Sequence, residues 1–355
     1  MCKKNRIIVF LGAGFPRPWG APSSTDLYNT VAEEIKKSSL SFLTELIPES
    51  FEDLIAALYS YSVYPLNPFQ QSLFQASIPK ECNLDEAIVL YRECINKVMA
   101  AVHAYEVNLS HSSNKERNNN LRSLFRLLHA KYRHVSVYTT NYDEMLPQVL
   151  GWSDNTMSID GERFAYKPLN QHQLKHSYSN LHGSVHIEMT QFGGQQYEVT
   201  HNPLIRPLLH MHELYGGNPS EFGLFTPIIV GHSKAQQILS KHYNYLTTCF
   251  ANDLSDCNTF LAIGNSFSDS HINAIIRQYT YRNSVSFRIV TLRDDVICSS
   301  PLDMKVTSEV FGDKGRYHPD SSKDCCFIRD NGRLVYYKFG TESFLEDKEF
   351  QKRYL

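Results

Sequence analysis

The chain has 355 residues, of which 42% are hydrophobic and 20% are charged. This composition is typical of a globular protein and excludes a largely disordered chain, and the length predicts one large domain with a smaller module. The formal net charge of −2 at pH 7 offers no basic field for phosphate backbones, so direct nucleic-acid binding is not expected.

Eight cysteines are spread along the chain, and no C-x-x-C pair occurs. This usage predicts reduced thiols and no four-cysteine zinc site. No run approaches the roughly 18 to 20 apolar residues of a membrane span. The sequence therefore predicts a soluble cytoplasmic protein that does not bind a membrane.

The first predicted element is a strand, Arg6 to Leu11, whose continuous apolar run is typical of burial on both faces. Gly12-Ala13-Gly14 follows it. A helix is predicted from Ser24 to Lys37, with Ser24 or Thr25 as the N-cap. Together these segments predict a strand, a glycine loop and a helix in succession.

Helical spacing recurs at residues 50–62 and 83–107. The polar stretch from Ser110 to Asn120 has no apolar anchor and predicts an exposed loop. A further helix is predicted from Leu121 to His129. Residues 41–120 are the predicted helical module, and residues 1–40 and 121–355 form the predicted main domain.

The next predicted strand, His134 to Tyr138, leads into Thr139-Thr140-Asn141-Tyr142-Asp143, and a helix-like run spans Glu144 to Leu150. An amide and a carboxylate thus stand at the carboxyl end of a strand, where open α/β sheets bind ligands. Asn and Asp are also good helix caps. The segment alone allows either a binding site or a cap.

The remaining pattern alternates between strands and helices, apart from an irregular stretch from Gly183 to Thr226. This alternation predicts an α/β fold with a Rossmann-like, mostly parallel sheet and an inserted smaller helical module. A hairpin is predicted near residues 324–340. The predicted segments are a strand end at Ser179–His182, a helix at His232–Asp253, a strand at Asn258–Ile263, a helix at Asp269–Arg282, a strand at Ser286–Leu292, and hairpin arms at Cys325–Arg329 and Leu334–Phe339, with the turn at Asp330-Asn331-Gly332.

Three polar turns at predicted strand ends are candidates for chemistry. Gly12-Ala13-Gly14 can bring the backbone close to a pyrophosphate, and a tight turn without a ligand is the less favoured alternative. Leu181-His182-Gly183-Ser184 carries an imidazole suited to proton transfer near neutrality, although an isolated His is more often structural. The third turn runs from Gly264 to Asp269, and its alternative role is to cap a helix through Ser268 or Asp269.

With these segments in place, the chain resembles sirtuin-like domains, in particular the zinc-free bacterial branch found in anti-phage defence systems. The segments that carry the resemblance are Gly12-Ala13-Gly14-Phe15, Gly20-Ala21-Pro22-Ser23, Phe51-Glu52-Asp53-Leu54, Thr140-Asn141-Tyr142-Asp143, Leu181-His182-Gly183-Ser184 and Gly264-Asn265-Ser266-Phe267-Ser268-Asp269.

The resemblance implies an NAD-binding Rossmann-like sheet and assigns roles to its residues. It implies that Asn141 lies near the nicotinamide ribose, that Asp143 bonds the nicotinamide carboxamide, and that His182 faces the ribose hydroxyls. These three are the predicted catalytic residues. The predicted cofactor-binding residues are Gly12, Ala13, Gly14, Phe15, Thr140, Gly183, Gly264, Asn265, Ser266 and Asp269.

Several departures from the deacetylases bear on activity. The two C-x-x-C pairs that hold their structural zinc are missing, so no zinc is expected and protein deacetylation becomes less favoured. Pro16 replaces a small hydroxyl residue and removes one backbone donor from the loop. Thr140 replaces the glutamine of the deacetylases.

The resemblance therefore implies an NAD+ glycohydrolase that depletes NAD+ in anti-phage defence, with His182 as a base toward a ribose hydroxyl or a water. The implied state is a homo-oligomer gated by a trigger or partner. One alternative is a non-catalytic nucleotide-binding subunit that docks a HerA-type ATPase or a short Argonaute. Another is an NAD-dependent deacylase.

Overall fold

The computed structural model describes residues 4–63, 84–151, 176–192, 196–201, 228–230, 241–280, 285–291, 305–306, 310, 321–323, 326–329 and 333–355. Within them, no helix is long and apolar enough to cross a membrane.

The main sheet has eight strands in the order β3-β2-β1-β6-β7-β10-β9-β8, and β4 and β5 form a separate antiparallel pair. The first six strands in this order, β3, β2, β1, β6, β7 and β10, run parallel to one another. Strands β9 and β8 continue the sheet in antiparallel pairing. The strands are β1 (Lys4–Leu11), β2 (Tyr132–Thr139), β3 (His176–Asn180), β4 (Ile187–Phe192), β5 (Gln196–His201), β6 (Thr259–Ile263), β7 (Ser286–Val290), β8 (Ser321–Lys323), β9 (Cys326–Arg329) and β10 (Leu334–Tyr337).

Helices cover both faces of this sheet, as a parallel sheet requires. They are α1 (Ser24–Ile35), α2 (Leu43–Leu46), α3 (Phe51–Val63), α4 (Leu84–Glu106), α5 (Lys115–Lys131), α6 (Met145–Leu150), α7 (Lys241–Ser255), α8 (Ser270–Thr280), α9 (Gly340–Glu346) and α10 (Lys348–Tyr354). The predicted α/β class and the mostly parallel sheet are confirmed.

The central strand β1 feeds two separate hydrophobic cores. Ile7 and Val9 contribute to the core that includes helices α1, α3, α4 and α5. Ile8 and Phe10 contribute to the core that includes α7 and α8. Because side chains alternate across a strand, the continuous apolar run predicted from the sequence supplies both faces at once.

The sheet has a topological switch point between the neighbouring strands β1 and β6. Strands β2 and β3 extend the sheet on one side of β1, whereas β6 pairs with its other side. Ligands bind outside the carboxyl ends of strands at such a switch point. The loop after Leu11 and the turn after Ile263 therefore flank the expected crevice.

The predicted exposed loop at Ser110–Asn120 is wrong over its second half, because α5 begins at Lys115. Asn118 is 7% exposed, and its side chain accepts a hydrogen bond from Trp19 Nε1 at 2.7 Å and donates one to the Leu109 carbonyl at 2.8 Å. Through these contacts Asn118 anchors the start of α5 in the interior. The spacing of apolar residues in the sequence does not show this, because the anchor is a polar residue.

Two further predictions are corrected. The helix cap is Ser23 rather than Ser24 or Thr25, and Ser23 forms a capping box with Asp26. The stretch after Gly183 is not irregular throughout, since β4 and β5 pair from Ile187 with His201 to Phe192 with Gln196.

Several predicted segments agree with the structure where it describes them. Strands β9 and β10 form the predicted hairpin, whose turn at 330–332 lies outside the described residues. The predicted helix from His232 is described only from Lys241 onward, as α7. The boundaries of a helical module at 41–120 remain a proposal. Helices α3 and α4 share the core that contains α1.

Candidate functional site

The glycine loop after β1 is held tightly by backbone hydrogen bonds. The N–H of Gly12 donates to the Ile263 carbonyl at 3.0 Å, that of Gly14 to the Gly264 carbonyl at 2.8 Å, and that of Phe15 to the Gly12 carbonyl at 2.9 Å. These three N–H groups are thus engaged within the protein. Ala13 is exposed, whereas the Phe15 ring is buried in the core.

The turn after β6 fits against this loop with no room for side chains at the contact. A Cβ on Gly12 would lie 2.6 Å from Asn265 Cα, and one on Gly264 would lie 2.3 Å from the backbone nitrogen of Phe15. Gly264 also has a φ of +63°. Glycine is therefore required here for close approach and, at Gly264, for conformation.

The Gly264 turn continues into α8 through an ordered side-chain arrangement. Asn265 Oδ1 accepts a hydrogen bond from the Phe267 N–H at 2.6 Å, and Phe267 has a φ of +54°. Ser266 is exposed and its hydroxyl donates to Ser268 Oγ at 3.2 Å. Helix α8 begins at Ser270, directly after Asp269.

Asn141 joins the end of β2 to the glycine loop. Its Nδ2 donates to the Gly12 carbonyl at 3.0 Å, and its backbone N–H donates to Thr139 Oγ1 at 3.0 Å. The side chain is half-buried, as is Thr140, whose N–H donates to the Leu11 carbonyl at 3.3 Å. The Asn141 amide is thus fixed at the mouth of the switch point.

Asp143 is buried, with 6% of its surface exposed, and its Oδ1 accepts a hydrogen bond from the Met145 N–H at the start of α6. Asp143 therefore contacts the backbone at the start of a helix, as the capping alternative in the sequence analysis expects. Burial, followed by the neighbouring Glu106 carboxylate, raises the pKa of Asp143 to about 7. The carboxyl group can accordingly change protonation near neutral pH.

A buried polar cluster lies around Asp143. Glu106, at the end of α4, accepts hydrogen bonds from the Glu144 N–H at 2.7 Å, and its other oxygen lies 2.9 Å from His186 Nε2. Ser184 donates to Glu144 Oε1 at 2.9 Å and accepts from the His186 N–H at 3.1 Å. This network ties α4 to the segments that follow β2 and β3.

His182 is 1% exposed and lies just beyond β3. Its Nε2 is 3.2 Å from Nε2 of His271, on the first turn of α8. One ligand atom each of His182, Asp269 and His271 lies within 4.8 Å of the others. The following Gly183, with φ +83°, forms an antiparallel bridge to Ile228.

A cavity of about 870 Å³ opens beside the Gly264 turn. Such a volume suits a ligand of cofactor size. Its lining includes two cationic side chains, Arg17 and Lys305, and one carboxylate, Glu342. Four of the predicted cofactor-binding residues line it: Gly14, Gly264, Asn265 and Ser266.

Tyr142, just after β2, lies near two further carboxylates, those of Glu52 and Asp269. Burial raises the pKa of its phenol well above the usual range, and the negative charges of Glu52 and Asp269 add to the shift. The phenol donates to the Ile229 carbonyl at 3.0 Å. Glu52, from α3, and Asp269, from the turn before α8, therefore face the same region as Tyr142.

The sequence analysis predicted the turns at this edge of the sheet. It did not predict three side chains that also lie at the candidate site. Glu106, His186 and His271 lie in or beside predicted helices and irregular segments, where nothing in the local pattern separates them from ordinary polar residues. His271 is only two residues beyond the predicted Asp269. Its proximity to that site residue is the one local signal available.

The fold and site together define an α/β protein with a candidate ligand crevice at the carboxyl edge of a parallel sheet. Residues 135–296, just under half of the chain, match the family model described as a SIR2-like domain. Among solved structures, the chain is similar to that of Sir2Tm bound to a propionylated peptide, with 9% identity and a TM-score of 0.40, covering 98% of this chain and 94% of that chain. No curated protein matches the chain.

Proposed function

We propose that the chain is an NAD+ glycohydrolase that cleaves NAD+ into nicotinamide and ADP-ribose. The observation that carries this proposal is the cavity beside the Gly264 turn, whose lining includes the cationic side chains of Arg17 and Lys305 together with one carboxylate, Glu342. Two buried carboxyl groups, Asp143 and Glu106, lie near the end of β2, outside this lining. NAD+ has the complementary arrangement, with a negative diphosphate and a cationic nicotinamide ring.

In the cavity, Arg17 and Lys305 are the proposed contacts for the diphosphate. Arg17 Nη1 donates to the Ala21 carbonyl at 2.8 Å and lies 3.3 Å from Asp26 Oδ2, so this atom anchors the side chain. The remaining donors of the guanidinium fork suit phosphate oxygens. Gly264, Asn265 and Ser266 would flank the adenosine half.

Near the end of β2, Asp143 and Glu106 provide carboxyl groups in a buried setting, where charges interact more strongly than in water. Cleavage of the bond between nicotinamide and ribose passes through an oxocarbenium-like transition state. Neighbouring carboxylates stabilise positive charge in that state. Asp143 would bond the carboxamide, and Asn141 would position the nicotinamide ribose.

His182 is the proposed base, acting on a ribose hydroxyl or on the attacking water. Its Nε2 faces Nε2 of His271 across 3.2 Å, so one of these two atoms carries the hydrogen that the other accepts. Entry of substrate would have to replace this contact. His271 is accordingly proposed as the group that exchanges a proton with His182.

Two features support an enzyme whose site must open before NAD+ is cleaved. The N–H groups of Gly12, Gly14 and Phe15 are already bonded within the protein, and His182 and His271 contact each other. We therefore propose gating by a trigger or partner in anti-phage defence. A homo-oligomer and a HerA-type ATPase are the proposed forms of that gate. A non-catalytic nucleotide-binding subunit and an NAD-dependent deacylase are the competing functions.

Chromatography of NAD+ incubated with the purified chain separates these functions. A glycohydrolase releases nicotinamide without an acylated peptide, either alone or after addition of the products of neighbouring genes. A deacylase requires the acylated peptide. A non-catalytic subunit binds NAD+ in calorimetry and leaves it intact under all of these conditions, which would overturn the proposal.

A further inference from the structure

The cluster of His182, Asp269 and His271 brings together two imidazoles and a carboxylate from separate parts of the chain. His182 follows β3, whereas Asp269 and His271 stand at the start of α8. One ligand atom of each residue lies within 4.8 Å of the others. Imidazole and carboxylate are ligands that divalent transition metals accept.

The separation of the two imidazole nitrogens matches that of two ligands on one metal ion. Two nitrogens bound tetrahedrally at about 2.0 Å from a zinc ion lie about 3.3 Å apart. The Nε2 atoms of His182 and His271 are 3.2 Å apart. The spacing of the two imidazole nitrogens therefore suits one ion, and the Asp269 carboxylate lies close enough to be the third ligand.

Burial and charge also suit a metal ion at this cluster. His182 is 1% exposed, which fixes one ligand, whereas Asp269 and His271 are half-buried and leave a side open to solvent. The positive end of α8 disfavours a cation. The Asp269 carboxylate, immediately before that helix, offsets this effect at the same place.

We propose that His182, Asp269 and His271 form a binding site for a zinc-class divalent transition metal ion. Coordination requires both Nε2 lone pairs, so the ring that carries its hydrogen on Nε2 must change tautomer and carry that hydrogen on Nδ1, and both imidazoles then bind the ion as neutral ligands. Three protein ligands leave one position for water. The ion therefore holds β3 and α8 together at the crevice.

One consequence rests on the proposed function. A metal ion on His182 Nε2 occupies the lone pair that the base requires, so metal binding inhibits NAD+ cleavage. The site would then make the enzyme sensitive to the concentration of free zinc. Removing the ion with a chelator restores the imidazole and, with it, turnover.

Cobalt(II) tests the site without reference to activity, because its visible absorption intensifies when nitrogen and oxygen ligands replace water in tetrahedral geometry. The untagged, chelator-treated full chain is titrated with Co²⁺, and Zn²⁺ is then added in competition. We expect one equivalent of Co²⁺ to bind and Zn²⁺ to displace it. His271→Ala and Asp269→Asn should each weaken binding by more than the roughly 10–100-fold typical of an outer-shell substitution.

Two control variants locate the signal. His111 is an exposed histidine, and His111→Ala should leave the titration unchanged. A Cys325→Ser/Cys326→Ser variant should also keep the Co²⁺ band. That result would show that the band comes from the histidine cluster and not from these two cysteines, which are neighbours in the sequence. Circular dichroism confirms that each variant is folded.

The outcomes separate the metal site from the proposed function. Absence of a stoichiometric Co²⁺ band, or a band that His271→Ala leaves intact, overturns the site and leaves a hydrogen-bonded histidine pair. A metal site with faster NAD+ cleavage overturns the inhibitory role. If the chelator-treated chain and its gene neighbours never cleave NAD+, the glycohydrolase is rejected while the Co²⁺ result for the site still stands.

Discussion

Asn141 Nδ2 donates a 3.0 Å hydrogen bond to the carbonyl oxygen of Gly12. This contact joins the carboxyl ends of neighbouring parallel strands β2 and β1. The Gly12 carbonyl also accepts the Phe15 N–H, so the loop and the amide fix one another. An amide predicted from its position at a strand end is therefore part of the same structural unit as the predicted glycine loop.

The close fit of the Gly264 turn against the glycine loop predicts a large effect of one methyl group. In Gly264→Ala, the new Cβ would lie 2.3 Å from the Phe15 nitrogen, a backbone atom that cannot move independently. We expect this variant to lose several kcal/mol of unfolding free energy, on the order of the larger point-mutant effects. Denaturant unfolding measures the loss, and NAD+ binding should fail with it.

Gly151→Ala is the matched control for that variant. Gly151 has a φ of +65°, close to the +63° of Gly264, but a Cβ there would meet nothing within 4 Å. Its substitution should cost only the left-handed strain of about 1–2 kcal/mol. Equal losses in the two variants would show that conformation, not the loop contact, determines the need for glycine at Gly264.

Lys305 lines the cavity and is proposed to contact the NAD+ diphosphate. Lys305→Ala should weaken NAD+ binding roughly 10-fold or more, because a hydrogen bond to a charged group contributes about 1.5–3 kcal/mol. Calorimetry with NAD+ measures the change even if the lone chain is inactive. Lys36→Ala, at an exposed lysine outside the cavity, should bind as the unaltered chain does, and a similar loss there would point to general charge effects.

Asp143 predicts a specific dependence of stability on pH. Its pKa is raised from about 4 in the unfolded chain to about 7 in the folded protein, first by burial and then by Glu106. Between these values the folded state binds more protons, so the unfolding free energy falls as pH rises through this window. Asp143→Asn keeps an oxygen for the Met145 N–H and removes the titration.

Unfolding of both proteins at pH 4 and pH 8 tests this reasoning. The difference between Asp143→Asn and the unaltered chain should shift in favour of the variant at pH 8, by a few kcal/mol at most. A pH-independent difference would show that the Asp143 carboxyl has no raised pKa in the folded protein.

Glu106 is expected to stabilise the segments around the site. Its two oxygens contact the Glu144 N–H and His186 Nε2 in a buried setting, so Glu106→Ala leaves two polar groups without this acceptor. We expect a loss of about 1–3 kcal/mol for each such group. Glu106→Gln, which retains one acceptor oxygen, should lose less.

Glu86→Ala is the control on the same helix. Glu86 accepts two hydrogen bonds from Ser39 near the protein surface, and its loss should cost about 1 kcal/mol or less. A Glu106→Ala loss no larger than this would show that the buried network does not stabilise the fold.

Strong local patterns made much of the sheet predictable. The run from Arg6 to Leu11 is continuous and apolar because β1 contributes to two cores, and this pattern reads directly as a central strand. The start of α5 was missed because its anchor is a buried polar residue. Asn118 contacts Trp19 and Leu109, and these partners are brought together only by folding.

The candidate site was predictable where a strand ends in glycine or a short polar side chain. Asn141, His182 and Gly264 all stand at such ends, and parallel topology brings those ends to one edge. His271 and Glu106 were not predictable. Their roles depend on contacts with residues 89 and 38 positions away along the chain, which no local spacing encodes.

Release of nicotinamide from NAD+ by the Asn141→Ala and His182→Ala variants tests the central claim most directly. The assay uses the purified chain with its gene neighbours, under conditions where the unaltered protein releases nicotinamide, and Asn119→Ala serves as the exposed control. We predict that both site variants lose at least about 100-fold in rate, as expected for loss of a general base or a positioning group, while the control retains full activity. Undiminished release by both site variants would contradict the account.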